Sequence, residues 1–231
     1  MSRALVPFSD LRTAAYCARK CYYQRTGDDA DREPPPSVER IRDLERRYEA
    51  LLEAPAGALE AEPIAVEPVQ YRERLGATRD RLAAAGHWDR LRDPSERNVY
   101  AAGKDCHGVV HKVLDAPLEP VLISAGKPPE RGVWEPQSVH AVAAAKALAW
   151  EHEQKIDRAW VEYPAYGVVR SLELTTRRKA RYRRALRTVW DLDGPPARTT
   201  NRSKCESCEF AAQCGVRTRT LRSLLPGFGS E

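Results

Sequence analysis

Three cysteines packed into ten residues near one end of the chain, with two more near the other end, restrict what it can fold into more than any other feature. Cys205, Cys208 and Cys214 read C-x2-C-x5-C within KCESCEFAAQC, and Cys17 and Cys21 lie close to the start. Three thiols at that spacing, on a short loop running into a helical turn, can converge on one metal centre. A cysteine about 190 residues upstream can supply the remaining ligand. Such a chain must bring its two ends together over one core. Four thiolates suit structural zinc and an iron–sulfur cluster equally, so the spacing alone leaves the metal open.

The opening MSRALVPFSDLR has no charged segment followed by an apolar one, and no apolar run approaches the roughly 18 residues that cross a membrane. A cytoplasmic protein without membrane contact is expected, and in that compartment clustered cysteines bind metal or do redox chemistry rather than form disulfides. Cys106 belongs to neither group and reads as a small buried apolar residue. The 231 residues suffice for one core with an elaboration. A net charge of +5 is a weak pointer to nucleic acid, but seven of the eleven residues in RRKARYRRALR (177–187) are Arg or Lys. That run is either the solvated face of an amphipathic helix or a track for phosphates, with Ala180, Leu186, Val189 and Trp190 turned inward.

Periodicity divides the chain into four parts. Residues 1–36 hold a helix through SDLRTAAYCARKCYYQR, N-capped by Ser9, and a polar loop ending in prolines. Residues 37–95 read as a helical insertion: a charged helix at 37–53, a Pro/Ala/Gly/Glu-rich linker at 54–69, and a helix at 71–86 ending on Gly86. Residues 96–192 form the core, in which RNVYAAG, CHGVVHKVLD and PVLISAG are strands, 137–153 an Ala-rich helix, IDRAWVEYP and GVVRSLEL two further strands, and 175–192 the basic helix. Residues 193–231 carry the cysteine trio and a tail. Strands, a helix, then more strands predict an α/β fold with a small mixed sheet flanked by helices.

This order and the cysteine layout resemble the RecB-type nuclease domain of the PD-(D/E)xK superfamily, and most closely its CRISPR-associated four-cysteine exonuclease family. Tyr16-Cys17-Ala18-Arg19 followed by Tyr22-Tyr23 is similar to the family's N-terminal signature, and Pro-Pro-Ala-Arg before the trio to its C-terminal one. The resemblance covers nearly the whole chain outside 37–95. It implies a restriction-endonuclease-like core and a [4Fe–4S] cluster on Cys17, Cys205, Cys208 and Cys214. It also implies DNA, as single strands or ends, as the substrate, and CRISPR adaptation proteins as partners.

The hydrolytic motif departs from that pattern. The family holds a divalent metal with Gly-x-x-Asp on one strand and Glu-x-Lys on the next, because two carboxylates must place the ion at the scissile phosphate and a lysine must stand near the attacking water. Gly108-Val109-Val110-His111 and Ser124-Ala125-Gly126 occupy these segments here, His140 stands where a helix Gln is expected, and residues 37–86 contain no His. A rebuilt Mg²⁺ or Mn²⁺ site would draw on Asp105, His111, Asp115 and Lys127, since His107, His111 and Asp115 share strand parity. The leading expectation is an iron–sulfur, DNA-binding protein with its nuclease residues replaced, contacting phosphates through Arg19, Lys20, Arg177, Arg178, Arg181 and Arg184. The alternatives are an active exonuclease with a rearranged site and a non-catalytic scaffold.

Overall fold

Strand β3 (Cys106–Leu114) organises the molecule, which is described here from a computed structural model covering residues 3–27 and 34–215. Strand β2 (Glu96–Ala102) pairs with it antiparallel, from Glu96 opposite Val113 to Ala102 opposite His107. One strand edge holds one neighbour at a time, so the remaining partners share the other edge. There β1 (Val6–Pro7) runs parallel beside Cys106 and His107, and β4 (Glu119–Ile123) runs antiparallel beside Lys112–Leu114. The stretch 108–111 between them has no strand partner on that edge. Strand β5 (Arg158–Tyr163) continues the sheet parallel to β4, and β6 (Val168–Glu173) closes it antiparallel to β5. The fold is thus α/β with a mixed six-stranded sheet.

Period-two alternation sends successive residues to opposite faces, and each face has its own cover. Ala159, Val161, Leu122 and Leu172 face a core formed with α1 (Phe8–Tyr16), the Ala-rich α8 (Glu135–Glu151) and the basic α9 (Thr176–Trp190). Leu114, Val121, Trp160 and Val169 face a second core of Leu44, Tyr48, Leu51, Leu59, Tyr71, Leu75, Leu82, Trp88 and Leu91. Those residues come from the segment expected as an insertion: α3 (Pro36–Asp43), a 3-10 turn (Leu44–Arg47), α4 (Tyr48–Glu53), α5 (Ala56–Leu59), α6 (Pro68–Ala84) and α7 (Trp88–Arg92). Residues 37–95 therefore supply one of three layers. Between this layer and the sheet, the buried Lys112 ammonium bonds Glu162 at 2.8 Å, the Leu91 carbonyl at 2.9 Å and the Glu45 carboxylate, while the Tyr48 hydroxyl donates to Glu162. Every charge in this network is met by a partner, which offsets the cost of burying it.

Three local expectations change. The first helix is two, because Cys17 adopts an extended conformation (φ −160°, ψ 116°) between α1 and α2 (Ala18–Thr26). No Pro or Gly marks the break; tertiary contacts of the C-terminal segment fix it. Pro7, not Ser9, occupies the cap position of α1, since its ring already holds φ at −57°. Ala180 is exposed, and α9 buries Tyr182, Ala185, Leu186 and Val189, with Trp190 half-buried and donating its indole N–H to the Ala4 carbonyl. Gly86 ends the helix before it in the left-handed region (φ +71°), as its sequence predicts. Gly108 is required by close packing: at φ +154°, a Cβ there would stand 2.6 Å from the Phe8 ring of α1. Residues 28–33 of the N-terminal loop and the tail from 216 onward lie outside the described residues.

Candidate functional site

Two cavities hold the chemistry-bearing residues. The first measures about 20 Å³ and joins the two ends of the chain: Cys17 at the α1–α2 break, and Cys205, Cys208 and Cys214 on and after the short α10 (Ser203–Glu206), all line it. Tyr16, Tyr23, Phe210 and Ala211 form apolar walls, and Arg19, Lys20, Arg198 and Lys204 stand around them. None of the six cysteines is in a disulfide. Cys21 points elsewhere, buried against the Asp10 carbonyl, and Cys106 is buried with its thiol pushed up to about 11, chiefly by desolvation.

Polar groups fasten this clasp from both sides. Lys204 donates to the Tyr16 carbonyl at 2.8 Å, the last of α1, where a cation meets the negative end of the helix, and its ammonium lies over the Tyr16 ring. Arg19 donates to the Pro196 carbonyl at 2.8 Å and to the Tyr23 hydroxyl. Tyr23 in turn donates to the Gln213 carbonyl and stacks on Phe210. Lys20 pairs with Glu209 at 3.1 Å. The thiols act on these neighbours: burial first, and then Cys208, Cys17 and Cys205, raise the Tyr16 pKa. The Tyr23 hydrogen bond first, with Cys214 adding to it, raises that of Arg19. The donor set is all sulfur, walled by apolar groups and ringed by cations that offset thiolate charge, so it fits a thiolate-ligated cluster or zinc. Among the described residues, no three His, Cys, Asp or Glu side chains are grouped as ligands of one ion. The convergence is that of a shared cavity rather than of an assembled coordination sphere.

The second cavity, about 270 Å³, opens where the nuclease carboxylates were expected. Glu39, Arg42, Asp43, Glu45 and Arg46 line it from α3 and the turn after it, Arg97 and Asn98 from β2, His111 from β3 and Ile123 from β4. His111 Nδ1 accepts the Ile123 N–H at 3.3 Å. Burial, then Arg42, Arg12 and Lys112, push its pKa down to about 3. Burial and the charges of Arg12, His111 and Arg42 lower His140 as well, and its Nε2 is buried without a hydrogen-bond partner among the described residues. Both imidazoles are therefore neutral at pH 7. The three acids do not make a metal site. Glu45 is taken up by Lys112, by Arg97 at 2.5 Å and by Arg46 at 3.7 Å, and Asp43 lies 4.0 Å from Arg46.

The other catalytic candidates do not gather here. Asp105 and Asp115 flank opposite ends of β3, roughly 30 Å apart along a strand of this length. Asp115 is exposed, with its carbonyl bound by Arg90, and Lys127 is exposed, with its carbonyl bound by Trp134. His107 bonds the Tyr100 hydroxyl at 2.8 Å, away from His111. Of the basic residues, Arg19 and Lys20 serve the clasp, Arg178 donates to the Glu173 carbonyl, and Arg181 and Arg184 pair with Glu135 at 3.2 and 3.7 Å. Arg177, Arg183 and Arg187 are exposed on α9 and have no partner among the described residues. Sequence reasoning missed Arg42, because reading 37–95 as an insertion removed α3 from consideration. Compared with known proteins, the chain matches no family model and no curated protein.

Proposed function

We propose that this chain is an iron–sulfur protein of RecB-nuclease type that binds DNA, as single strands or at ends, in DNA processing of the kind CRISPR adaptation requires, with the metal-nuclease residues replaced. One observation carries the reading: four cysteines from both ends of the chain line a single cavity, while the cleft across the sheet edge presents His111 from β3 and Ile123 from β4 where the strand carboxylates were expected. Cys17, Cys205, Cys208 and Cys214 would hold the cluster, whose contribution is to cross-link the termini. The exposed arginines of α9 offer the phosphate-facing surface, which needs charge but no base-specific geometry. Nothing in the placement of Asp105, Asp115 or Lys127 favours the rearranged-nuclease alternative.

The test has two arms. Protein purified without oxygen is assayed for iron, acid-labile sulfide and zinc, in the wild type and in Cys205→Ala and Cys214→Ala; iron that persists in both variants, or zinc in its place, ends the cluster reading. Fluorescence anisotropy with a labelled single strand across a salt series should show affinity falling steeply with salt and weakening on charge reversal at Arg177, Arg183 and Arg187. Binding indifferent to both removes DNA as the partner. Metal-dependent strand degradation that vanishes in His111→Ala would replace the binding role with a nuclease.

A further inference from the structure

We propose that Trp134 is a stacking platform for an unpaired nucleobase, set beside the basic helix α9 so that a strand whose phosphates follow that helix lays a base on the indole. The proposal rests on the DNA reading above and narrows it to single strands. Its starting point is an indole that is held still and left uncovered. Trp134 occupies the cap position of α8 with 51% of its surface exposed, and its Nε1–H donates to the Lys127 carbonyl at 2.8 Å. That bond takes up the only polar atom of the side chain, so the ring offers solvent a π-face and nothing to hydrogen-bond. The loop before it is anchored in turn: Pro128 and Pro129 stiffen it, and Arg170 donates to the Glu130 carbonyl at 3.4 Å. A ring fixed in advance loses little freedom when a second ring lies on it.

Charge selects what lies on it. Glu135, the next residue, pairs with Arg181 at 3.2 Å and with Arg184 at 3.7 Å, which docks this end of α8 against the basic helix. Arg177 lies one turn before Arg181 on the same stripe of α9, exposed and unpaired among the described residues. In the loop, Lys127 and Arg131 are exposed, with Glu130 the single acid of residues 124–134 against them. Trp150, near the other end of the same helix and 61% exposed, sits in the opposite setting: Glu151 and Glu153 follow it. A cationic ligand over the Trp134 face would be repelled by the cations around it, although the ring alone would attract one. A planar group carried on an anionic backbone suits ring and cations at once, and a nucleobase on its phosphate strand is such a group. In a duplex each base is already paired and stacked, so the platform serves an unpaired one.

The experiment measures binding of a fluorescein-labelled oligothymidylate to the full chain by anisotropy. Trp134→Ala should weaken it about fivefold or more, with the salt dependence unchanged because no phosphate contact is lost. Trp134→Phe keeps a ring but not the N–H, and should bind close to the wild type; a ring that served only to tie the loop to Lys127 would make Phe as weak as Ala. A strand of the same length built from abasic sugars should bind the wild type and Trp134→Ala alike. Trp150→Ala, which alters an equally exposed indole on the same helix, should change neither. Binding of the base-bearing strand that is unweakened in Trp134→Ala, a Phe variant as weak as Ala, an equal loss on the abasic strand, or an equal loss in Trp150→Ala overturns the platform and leaves the DNA reading standing. A duplex of the same length bound as tightly as the single strand does the same. Wild-type protein that binds neither strand overturns the DNA reading, and the platform with it.

Discussion

The clasp and the cleft are built from the same residue types and use them in opposite ways. In the clasp, Arg19, Lys20 and Lys204 each reach across to the other end of the chain, so its cations fasten protein to protein while its thiols face inward together. In the cleft, Arg97 and Arg46 pair with Glu45 beside them, Arg42 Nε is buried without a hydrogen-bond partner among the described residues, and His111 is held neutral chiefly by burial. The difference teaches what a cation can be spent on: one that bonds a carbonyl from the far segment fixes where two parts of the chain meet, and one paired with an acid beside it only holds that acid in place.

The comparison can be broken at the clasp first. Cys205→Ala or Cys214→Ala should abolish bound metal, and tetrathiolate structural sites supply on the order of 10 kcal/mol of binding free energy. Metal content and limited proteolysis of the 193–215 segment measure the loss, which should leave the second core and its Lys112 network intact. Next in size is Lys112→Met, which strands Glu45 and Glu162 in the interior and should cost about 3–5 kcal/mol in urea unfolding.

The pH dependence sharpens the cleft alone. A histidine whose folded pKa is lowered contributes its full stability above the unfolded value of about 6.5 and loses it as pH falls below that. Each of His111 and His140 should therefore remove up to about 1.4 kcal/mol per pH unit below 6.5, and His140→Gln should flatten the profile measured by chemical denaturation at pH 7, 6 and 5. Glu162 acts in the opposite sense. Burial raises its pKa, so protonation favours the folded state as pH falls, and the contrast with His140→Gln isolates the histidine effect. The smallest change is expected for Glu209→Ala. Its pair with Lys20 is half exposed, and its loss should cost below about 1 kcal/mol without releasing the clasp.

Much of this architecture was legible in the chain. The strands from 96 to 173 read as short runs rich in Val and other apolar residues, Gly86 closes its helix, and the cysteine spacing pointed to one shared site. What escaped was everything fixed by distant contact. Nothing local breaks the helix at Cys17; Lys204, on a segment almost the whole chain away, takes the carbonyl before it. Strand β1 is two residues long, too short for any periodicity to register. Arg42 looks like an ordinary surface arginine of its helix, and only the packing of that helix on the sheet brings it to the cleft that His111 also lines. The charged segment 37–53 reads as one helix, since Leu44, Tyr48 and Leu51 recur at i, i+4 and i+7, and the 3-10 turn at Leu44–Arg47 that divides it leaves no mark in that spacing.

The clasp also sets a condition on when the protein can be finished. Its two halves, residues 16–23 and 196–214, are divided by the whole core, and at about 5–20 residues per second they leave the ribosome roughly 10–40 s apart. During that interval Cys17 waits with its partners unmade. A chain cut short between α9 and the cysteine trio can build the sheet and both cores, but it cannot close. Closure of the clasp thus comes only after everything it fastens has been made.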